Sequence, residues 1–351
     1  MNNRTITIAL DAMGGDGAPA IVVYGAKEAL KRNPNLKFHF YGQQASVEPL
    51  LCEAGLHDDE RCTLIACTDV VKNDDKPSNI LRSGTKTSMA QAIRGVHEKQ
   101  SDCVVSAGNT GALMALSMFT HSRIPGVLRP AIATYFPTIR GESCILDLGA
   151  NVECDAQQLA QFAVMGEVFG SITLGLDRPS VGILNVGTES IKGHPEVRAA
   201  RDILQAAEVL HDFRGFVEGT DISEGKIDVF VTDGFTGNLI LKSAEGTAKL
   251  IAHYLREALA NSLGGKLLYL LGRKRLLQFR ARVDPRNYNG AVFLGLNGIS
   301  VKSHGSADAR AFANAIDVAA DLTQYDLVSK IGERIGMLRE AINSDKTMSA
   351  K

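Results

Sequence analysis

The sequence DCVVSAGNTGALMALSMF, residues 102–119, carries the pattern from which the architecture of this chain can be derived. Val104 and Val105 form a short β-branched run that is typical of a buried strand. The chain then turns through Ser106–Gly111 and continues as an apolar stretch that favours a helix. A strand, a tight turn and a helix in this order leave unpaired N–H groups and the positive end of the helix dipole beyond the strand. Such a turn suits a phosphate or a developing oxyanion.

The same pattern, a strand followed by a turn rich in glycine and small polar residues, recurs along the chain. Strand and helix patterns alternate over most of the sequence, which predicts a three-layer α/β/α sandwich around a mainly parallel, twisted sheet. Ligands bind such sheets beyond the carboxyl ends of the strands, so we expect the turns to meet on one rim of the sheet. The turns are Asp11–Asp16, Ser106–Gly111, Asp147–Asn151, Gly187–His194, Thr232–Asn238 and Asn297–Ser306.

The composition is that of an ordinary globular protein. The chain has 351 residues, a formal net charge of −1 and 45% hydrophobic residues, and this charge gives no reason to expect a nucleic-acid partner. The N-terminus has no apolar signal region, and no run approaches the ~18 apolar residues of a membrane span. The six cysteines include no CxxC pair, which favours reduced packing thiols in a cytosolic protein. We therefore expect one cytoplasmic α/β/α catalytic domain over residues 1–351, with a polar tail over 340–351.

The turns combine backbone amides with small polar donors and four candidate cationic side chains, which are Lys192, His194, Lys302 and His304. The first βαβ unit lacks a GxGxxG dinucleotide fingerprint, and the chain has no GxxxxGK[ST] loop. There is no paired Cys/His ligand set, and the aspartates of the turns are too scattered to indicate a metal site. These features favour transfer chemistry on a phosphate that requires no redox cofactor.

Six motifs, taken together and in order, resemble the phosphate acyltransferase (PlsX) family of bacterial phospholipid synthesis. The resemblance covers essentially the full chain. The motifs are DAMGGD at 11–16, SAGNTGA at 106–112, DLGAN at 147–151, NVGTE at 185–189 with Lys192–Gly193, TDGFTGN at 232–238 and KSHGS at 302–306. One position departs from the family pattern: the family usually carries Asn after the Lys-Gly pair, where this chain has His194, and this weakens His194 as a catalytic candidate.

The resemblance implies an enzyme that moves a long-chain fatty acyl group from acyl carrier protein to inorganic phosphate. The acyl phosphate would pass to a membrane glycerol-3-phosphate acyltransferase. The resemblance also implies a homodimer, no organic cofactor, and a fold similar to the isocitrate and isopropylmalate dehydrogenases and to phosphotransacetylase.

The residue types fit a direct attack of phosphate on a thioester, with no covalent enzyme intermediate. We hypothesise that the Ser106–Gly111 amides, with Asn109, Lys192 and Lys302, hold the phosphate. His304 is either a general acid for the departing thiolate, a donor to the oxyanion, or a structural turn residue. The aspartates of the turns either contact substrate or act as turn caps that orient the cations; they are Asp11, Asp16, Asp147 and Asp233. The catalytic candidates are Asn109, Lys192, Lys302 and His304, and the binding candidates are Gly14, Gly15, Asp16, Ser106, Gly108, Thr110, Gly111, Asn151, Asp233, Asn238 and Asn297.

Residues 263–282, LGGKLLYLLGRKRLLQFRAR, interrupt the alternation of strand and helix. We predict a projecting helical hairpin over residues 239–289 with this segment at its tip. Leucines and basic residues alternate in blocks, which favours a reversible contact with an anionic membrane surface or with the acidic carrier protein. Buried packing against a second copy, with the arginines reaching outward, is the alternative. We therefore expect a cytoplasmic protein that associates peripherally with the inner face of the cell membrane.

Three other functions remain possible from the sequence. The first is short-chain acyl transfer between coenzyme A thioesters and phosphate, as in phosphotransacetylase. The second is a dehydrogenase of the isocitrate type, which is less favoured because that chemistry needs clustered metal-binding carboxylates. The third is a membrane-associated scaffold without enzymatic activity. Phosphate-dependent thiol release from a long-chain thioester separates these possibilities.

Overall fold

The fold is described from a computed structural model that covers residues 4–260, 271–275 and 284–349. Within these ranges eleven strands form one sheet, in the order β3-β2-β1-β4-β11-β10-β5-β6-β9-β7-β8. The strands are β1 Ile6–Asp11, β2 Leu36–Gly42, β3 Cys62–Ala66, β4 Cys103–Ser106, β5 Ala131–Thr138, β6 Gly141–Leu146, β7 Val181–Leu184, β8 Phe213–Val217, β9 Val229–Val231, β10 Ala291–Leu294 and β11 Ile299–Lys302.

Helices cover both faces of the sheet, which confirms the predicted three-layer α/β/α sandwich. Strand β4 is buried on both faces of the sheet. Cys103 and Val105 pack into the apolar core on one face, and Val104 packs into the core on the other face, so each face must be covered by helices. The helices are α1 Ala20–Arg32, α2 Gln44–Ala54, α3 Pro77–Ser83, α4 Ser88–His97, α5 Thr110–His121, α6 Ala156–Leu174, α7 Pro195–Ala207, α8 Gly219–Glu224, α9 Gly234–Ala260, α10 Ala309–Gln324 and α11 Leu327–Ser349.

The direction of the strands reverses near the middle of the sheet. Strands β10 and β5 pair antiparallel with each other and with their outer neighbours β11 and β6. As a result β3, β2, β1, β4 and β11 run one way, and β6, β9, β7 and β8 run the other way. We call the carboxyl ends of β1, β4 and β11 the upper rim, and those of β6, β9 and β7 the lower rim.

The six turns therefore follow strands that run in opposite directions, and they form two groups instead of lying on one rim of a parallel sheet. The turns after β1, β4 and β11 lie at the upper rim, and the turns after β6, β7 and β9 lie at the lower rim. Two hairpin-like connections, β5–β6 and β10–β11, cause the reversal. The effect of these connections on strand direction in the second half was not predicted from the sequence.

The register across the centre shows how the two rims are related. Val301 pairs with Val292, Val292 pairs with Ala133, and Ala133 pairs with Leu146. The ends of β11 and β6 therefore lie almost level. They are separated sideways by three strand spacings, about 14 Å.

The C-terminal part consists of two helices. The break between α10 and α11 lies at Tyr325–Asp326, and Gly332 is inside α11. Residues 340–349 continue α11. The predicted hairpin tip at 263–282 lies outside the described residues except for a short helical piece at 271–275. No helix in the described part of the chain is both long and apolar enough to cross a bilayer.

Candidate functional site

At the upper rim the turn after β1 is organised by a buried carboxylate. Asp11 ends β1, and its two carboxylate oxygens accept hydrogen bonds of 2.6 Å from the hydroxyls of Ser88 and Ser106. Burial raises the pKa of Asp11, and the two serine hydrogen bonds act against this rise. A Cβ at Gly14 would lie 2.6 Å from both the Asp11 carboxylate and the Gly108 nitrogen, so this turn can lie on the carboxylate only with glycine there.

The turn between β4 and α5 is held by its own side chains. The Ser106 hydroxyl accepts a hydrogen bond from the Gly108 N–H at 3.1 Å. Asn109 Oδ1 caps α5 by accepting from the Ala112 N–H at 2.9 Å. The N–H groups of Thr110 and Gly111, in the first turn of the helix, have no partner within it, because helix geometry provides none there. These amides, and not the cap, are available for an anion.

Asn109 has a structural role that sequence reasoning did not anticipate. Its Nδ2 donates to the carbonyl oxygens of Asn73 at 2.9 Å and Asp75 at 3.2 Å, which ties the charged loop before α3 to the start of α5. Because both ends of the amide are engaged, this side chain is not free to bind phosphate. We therefore replace the hypothesis that the Asn109 side chain holds phosphate by this structural role, in which it caps α5 and holds the loop.

Lys302 is a buried cation next to the same turn. It ends β11 and pairs with Ser106 in the parallel ladder. Its side chain is only 9% exposed, and Nζ donates to the carbonyl oxygens of Ala107, at 3.2 Å, and Ser303. Burial lowers the pKa of Lys302 to about 8, and the charges of Asp11 and Asp16 oppose this effect. Among the residues that the structure describes, no carboxylate lies within ion-pair distance of this ammonium.

His304 lies two residues beyond Lys302 and is exposed. Its Nδ1 accepts from the Ser306 N–H at 3.2 Å and lies 2.9 Å from the Ser306 hydroxyl. This contact places the proton of the neutral ring on Nε2, where it can be donated. The His304 backbone N–H donates to Asn289 Oδ1 at 2.8 Å, which fixes the turn.

Helix α9 also influences His304. Burial and the charge of Lys302 lower the pKa of His304, while Glu245 of α9 raises it and Lys242 and Lys249 lower it. Helix α9, which begins at the lower rim, therefore passes near the upper-rim histidine. Sequence reasoning did not find this proximity, because it depends on a helix that starts in another motif.

At the lower rim two aspartates are turn caps. Asp147 is fully buried; Oδ1 accepts from the Ile132 and Ala150 N–H groups, and Oδ2 accepts from the Asn151 N–H at 2.7 Å. Asp233 caps α9 by accepting from the Thr236 N–H at 2.7 Å. In this structure both carboxylates accept hydrogen bonds from the backbone of their own turns, as expected of turn caps.

Lys192 lies at the lower rim, apart from Lys302. Its loop folds around Asn185, whose Nδ2 donates to the Lys192 carbonyl oxygen at 3.1 Å, and the side chains of Lys192 and His194 are exposed. In the sheet order five strand spacings, about 24 Å, separate the end of β7 before Lys192 from the end of β11 at Lys302.

The predicted site residues thus divide into two groups. The upper rim brings together Gly14, Gly15, Asp16, Ser106, Gly108, Asn109, Thr110, Gly111, Lys302 and His304, while Asn151, Lys192, Asp233 and Asn238 lie at the lower rim. Asn297 belongs to neither group, because it lies in the β10–β11 connection, where its N–H donates to the Ser122 carbonyl oxygen at 3.0 Å. The hydroxyls of Thr85–Ser88 offer N-caps for α4 in the sequence, but the contact of Ser88 with Asp11 was not predicted. Asn289, which positions His304, was not predicted as a site residue, and no local pattern distinguishes it from other polar residues.

One family model and two curated relatives each match most of this chain. The model of the family described as "Fatty acid synthesis protein" matches residues 6–330. A phosphate acyltransferase of Rhodospirillum centenum is 52% identical over 343 residues, covering 96% of this chain and 95% of the relative. A phosphate acyltransferase of Paramagnetospirillum magneticum is 47% identical over 352 residues, covering 99% of both chains.

Solved structures share the fold at low identity. A phosphotransacetylase from Streptococcus pyogenes has a TM-score of 0.62 at 18% identity, covering 92% of this chain and 95% of that one. The EutD phosphotransacetylase from Staphylococcus aureus has a TM-score of 0.58 at 16% identity, with coverages of 91% and 94%. A 4-hydroxythreonine-4-phosphate dehydrogenase from Klebsiella pneumoniae has a TM-score of 0.51 at 13% identity, with coverages of 92% and 98%. These similarities show the fold alone.

Proposed function

The chain belongs to the fatty acid synthesis protein family, together with the phosphate acyltransferases, and from this premise we propose that it transfers a long-chain fatty acyl group from acyl carrier protein to inorganic phosphate. Acyl transfer to phosphate for lipid synthesis is the activity of the family. The carrier-protein donor, the chain length and the residues below are our proposal. Short-chain transfer from coenzyme A is not favoured.

One observation carries the assignment of the phosphate site, namely the buried ammonium of Lys302 against the turn that begins α5. A buried charge without an ionic partner is costly, and an incoming anion removes that cost. The N–H groups of Thr110 and Gly111 and the positive end of the α5 dipole favour negative charge at the same place. The upper rim therefore offers one cation and two or more N–H donors to a phosphate dianion.

The reaction needs orientation and charge stabilisation more than a covalent intermediate. An oxygen of hydrogen phosphate attacks the thioester carbonyl carbon, the C–O bond forms, and the C–S bond breaks in the collapse of the tetrahedral intermediate. The electron pair leaves with sulfur, and the proton of hydrogen phosphate is transferred to the thiolate, which gives acyl phosphate and free thiol. Holding the two reactants in line contributes several kcal/mol, and each donor to the oxyanion contributes about 3 kcal/mol.

His304 is the proton carrier in this scheme. Its neutral ring has the proton on Nε2, so Nε2 donates to the oxyanion or to the departing thiolate, and the proton lost by phosphate restores the ring. Lys302 stays charged and neutralises the phosphate. Asp11 and its two serine partners position the turn against which Lys302 lies and do not contact substrate.

The chain acts as a homodimer in this proposal, with contact along α9. Leu250, Ile251, Tyr254 and Leu255 lie on one side of α9 and are 51%, 56%, 59% and 37% exposed. A continuous exposed apolar stripe on a helix is typical of a protein or membrane interface. Sedimentation should therefore show a dimer that dissociates when Ile251 and Tyr254 are both changed to Glu. Arg256→Glu on the opposite side of α9 is the control and should leave the dimer intact; dissociation by the control variant alone would contradict this interface.

Peripheral contact with an anionic membrane is the last part of the proposal, and it brings the acyl phosphate to the membrane glycerol-3-phosphate acyltransferase. In the described piece of the tip, Leu271 is 79% exposed and is followed by exposed Arg273, Lys274 and Arg275. Basic residues near an anionic surface contribute about 1 kcal/mol each, and a partly buried leucine adds to this. Leu271→Asp should weaken salt-sensitive binding to phosphatidylglycerol vesicles. Equal binding to neutral vesicles would contradict an electrostatic contact.

A thiol-release assay tests the central proposal. Palmitoyl-carrier protein, phosphate and enzyme should release free thiol in proportion to enzyme, and phosphorus NMR should show an acyl phosphate. Omitting phosphate should abolish release. Acetyl-coenzyme A is the comparison donor; turnover with it alone would support the short-chain reaction, and thiol release independent of phosphate would exclude acyl transfer to phosphate.

A further inference from the structure

Helices α5 and α9 lie on the same face of the sheet but above different strands. Helix α5 lies over β11, where the Ser117 and Ser300 hydroxyls are 3.0 Å apart. Helix α9 begins over the end of β6, because a Cβ on Gly237 would overlap the Asp147 carbonyl oxygen. The helices run in opposite directions, since α5 begins at the upper rim and α9 at the lower rim.

The strands beneath them set the distance between the two helices. Strands β10 and β5 lie between β11 and β6, so three spacings of about 4.8 Å separate the strands beneath the two helices by about 14 Å. Two helices in direct contact lie about 8–10 Å apart. The separation of about 14 Å exceeds this contact distance by about 5 Å. Because carbon atoms in contact are about 3.5–4.0 Å apart, the space left between the helices has the width of a single hydrocarbon chain.

The groove between the helices is lined by apolar side chains that are only partly buried. Met114 and Met118 belong to α5 and Leu241 to α9, while Ala291 of β10 and Phe136 of β5 lie on the strands between these helices. All five side chains are partly buried against the same apolar core. Methionine side chains adapt to ligands of varied shape, which suits a flexible acyl chain.

One end of the groove is the proposed phosphate site. Lys302 pairs with Ala291 across the β10–β11 ladder, so the cation is adjacent to a floor residue. Lys302 also points to the same face of the sheet as Ser300, because alternate residues of a strand share a face. The opposite end opens beside Met118 into a cavity of about 380 Å³ lined by residues 122–127.

We propose that the fatty acyl chain of the substrate lies in this groove, with its thioester carbon at Lys302 and His304 and its methyl end near Met118. This inference rests on the acyl transfer proposed above and adds the location of the chain. Helix α5 has 12 residues and is about 18 Å long, so the groove accepts a long chain in extended form. Each methylene placed in the groove should strengthen binding about fourfold, up to the length of the groove.

A tryptophan in the far part of the groove tests this placement. Met118→Trp should block the end that long chains reach and leave the part used by short chains open. We expect turnover with palmitoyl-carrier protein to fall at least tenfold, while turnover with octanoyl-carrier protein stays within twofold. Leu241→Trp narrows the groove from the other wall and should also lower turnover with palmitoyl-carrier protein. Phe119→Trp is the matched control, because Phe119 is on the same helix, is 76% exposed and lies outside the groove.

Binding measured without turnover separates this inference from the proposed function. Calorimetric titration with palmitate and with octanoate should show that Met118→Trp weakens palmitate at least tenfold and octanoate less than twofold. Circular dichroism melting identifies any variant that fails to fold, and Leu241→Trp then replaces it. If palmitate does not bind the unaltered protein, or binds Met118→Trp and Leu241→Trp as well as it binds Phe119→Trp, the groove does not hold the chain. Failure of phosphate-dependent thiol release with unchanged palmitate binding would instead overturn the proposed function and leave the groove supported.

Discussion

The Nζ of Lys302 donates a hydrogen bond to the carbonyl oxygen of Ala107, at a distance of 3.2 Å. This bond joins the end of β11 to the turn that starts α5, although the two residues are 195 positions apart in the sequence. It holds the ammonium in a buried position against the turn that leads into α5. In the proposed site the positive charge and the N–H donors of this turn are fixed before an anion arrives, which is the condition for strong electrostatic stabilisation.

Removing this charge should weaken phosphate binding. In Lys302→Met the side chain keeps its length and loses the ammonium, so we expect the KM for phosphate to rise at least tenfold, a loss of about 1.4 kcal/mol. Steady-state thiol release at varied phosphate measures this change. Lys192→Met removes a lysine at the lower rim and should change the KM for phosphate less than twofold. An equal rise in both variants would mean that the two rims serve one anion site.

The affinity for phosphate should depend on pH in the direction set by Lys302. Burial lowers the pKa of this group to about 8, so the free enzyme carries the charge below pH 8 and loses it as pH rises above 8. The KM for phosphate should therefore increase between pH 8 and pH 9.5, where phosphate itself is almost entirely a dianion. Lys302→Arg keeps its charge throughout this range and should give a flatter profile. A constant KM in the unaltered enzyme would contradict a lysine–phosphate contact.

The sequence predicted the local parts of the site better than their arrangement. The turn at Ser106–Gly111 and the cation Lys302 were both found, because a glycine-rich turn between a strand and a helix has a recognisable local pattern. The separation of Lys192 from Lys302 was not found, because apolar periodicity is the same in parallel and antiparallel buried strands. The direction of β6 depends on its antiparallel pairing with β5, and this pairing reverses every later strand of that half.

Side-chain roles were also only partly predictable. An asparagine after a glycine in such a turn is equally suited to binding an anion and to capping the helix. For Asn109 the choice depends on a loop 34–37 residues earlier in the sequence, whose carbonyl oxygens accept from its amide. Contacts of this kind are set by the tertiary fold, and no spacing in the sequence encodes them.

The two functions of Asn109 can be separated by substitution. Asn109→Asp retains a cap acceptor for α5 and loses the Nδ2 donor that holds the loop at 72–75. We expect faster amide hydrogen exchange in residues 70–77 of this variant, with α5 still protected. Asn109→Ala removes both contacts and should also cost about 1 kcal/mol of unfolding free energy through the lost cap. Unchanged exchange in the loop of both variants would show that the amide does not hold it.

His121, at the end of α5, should make stability depend on pH. The side chain is 2% exposed, and neither ring nitrogen has a hydrogen-bond partner in the described part of the chain. Burial, with a smaller contribution from the charge of His97, lowers the pKa of His121 to about 4. The unfolded chain takes up a proton near pH 6.5 while the folded protein does not, so the free energy of unfolding falls as pH decreases from 6.5 towards 4. This residue should contribute about 2 kcal/mol of that loss between pH 7 and pH 5.

Replacing the histidine by an apolar side chain should remove this contribution. His121→Met fills a similar volume without a titrating group, so its stability relative to the unaltered protein should improve by about 2 kcal/mol on going from pH 7 to pH 5. Urea unfolding at pH 7, 6 and 5 measures the difference, and subtracting the two proteins cancels the groups that they share. His253→Met is the control for replacing a histidine by methionine, because His253 lies on α9 with a side chain that is 69% exposed. A difference between His121→Met and the unaltered protein that stays constant from pH 7 to pH 5 would mean that His121 accepts its proton as readily in the folded state, and that the end of α5 is open to water.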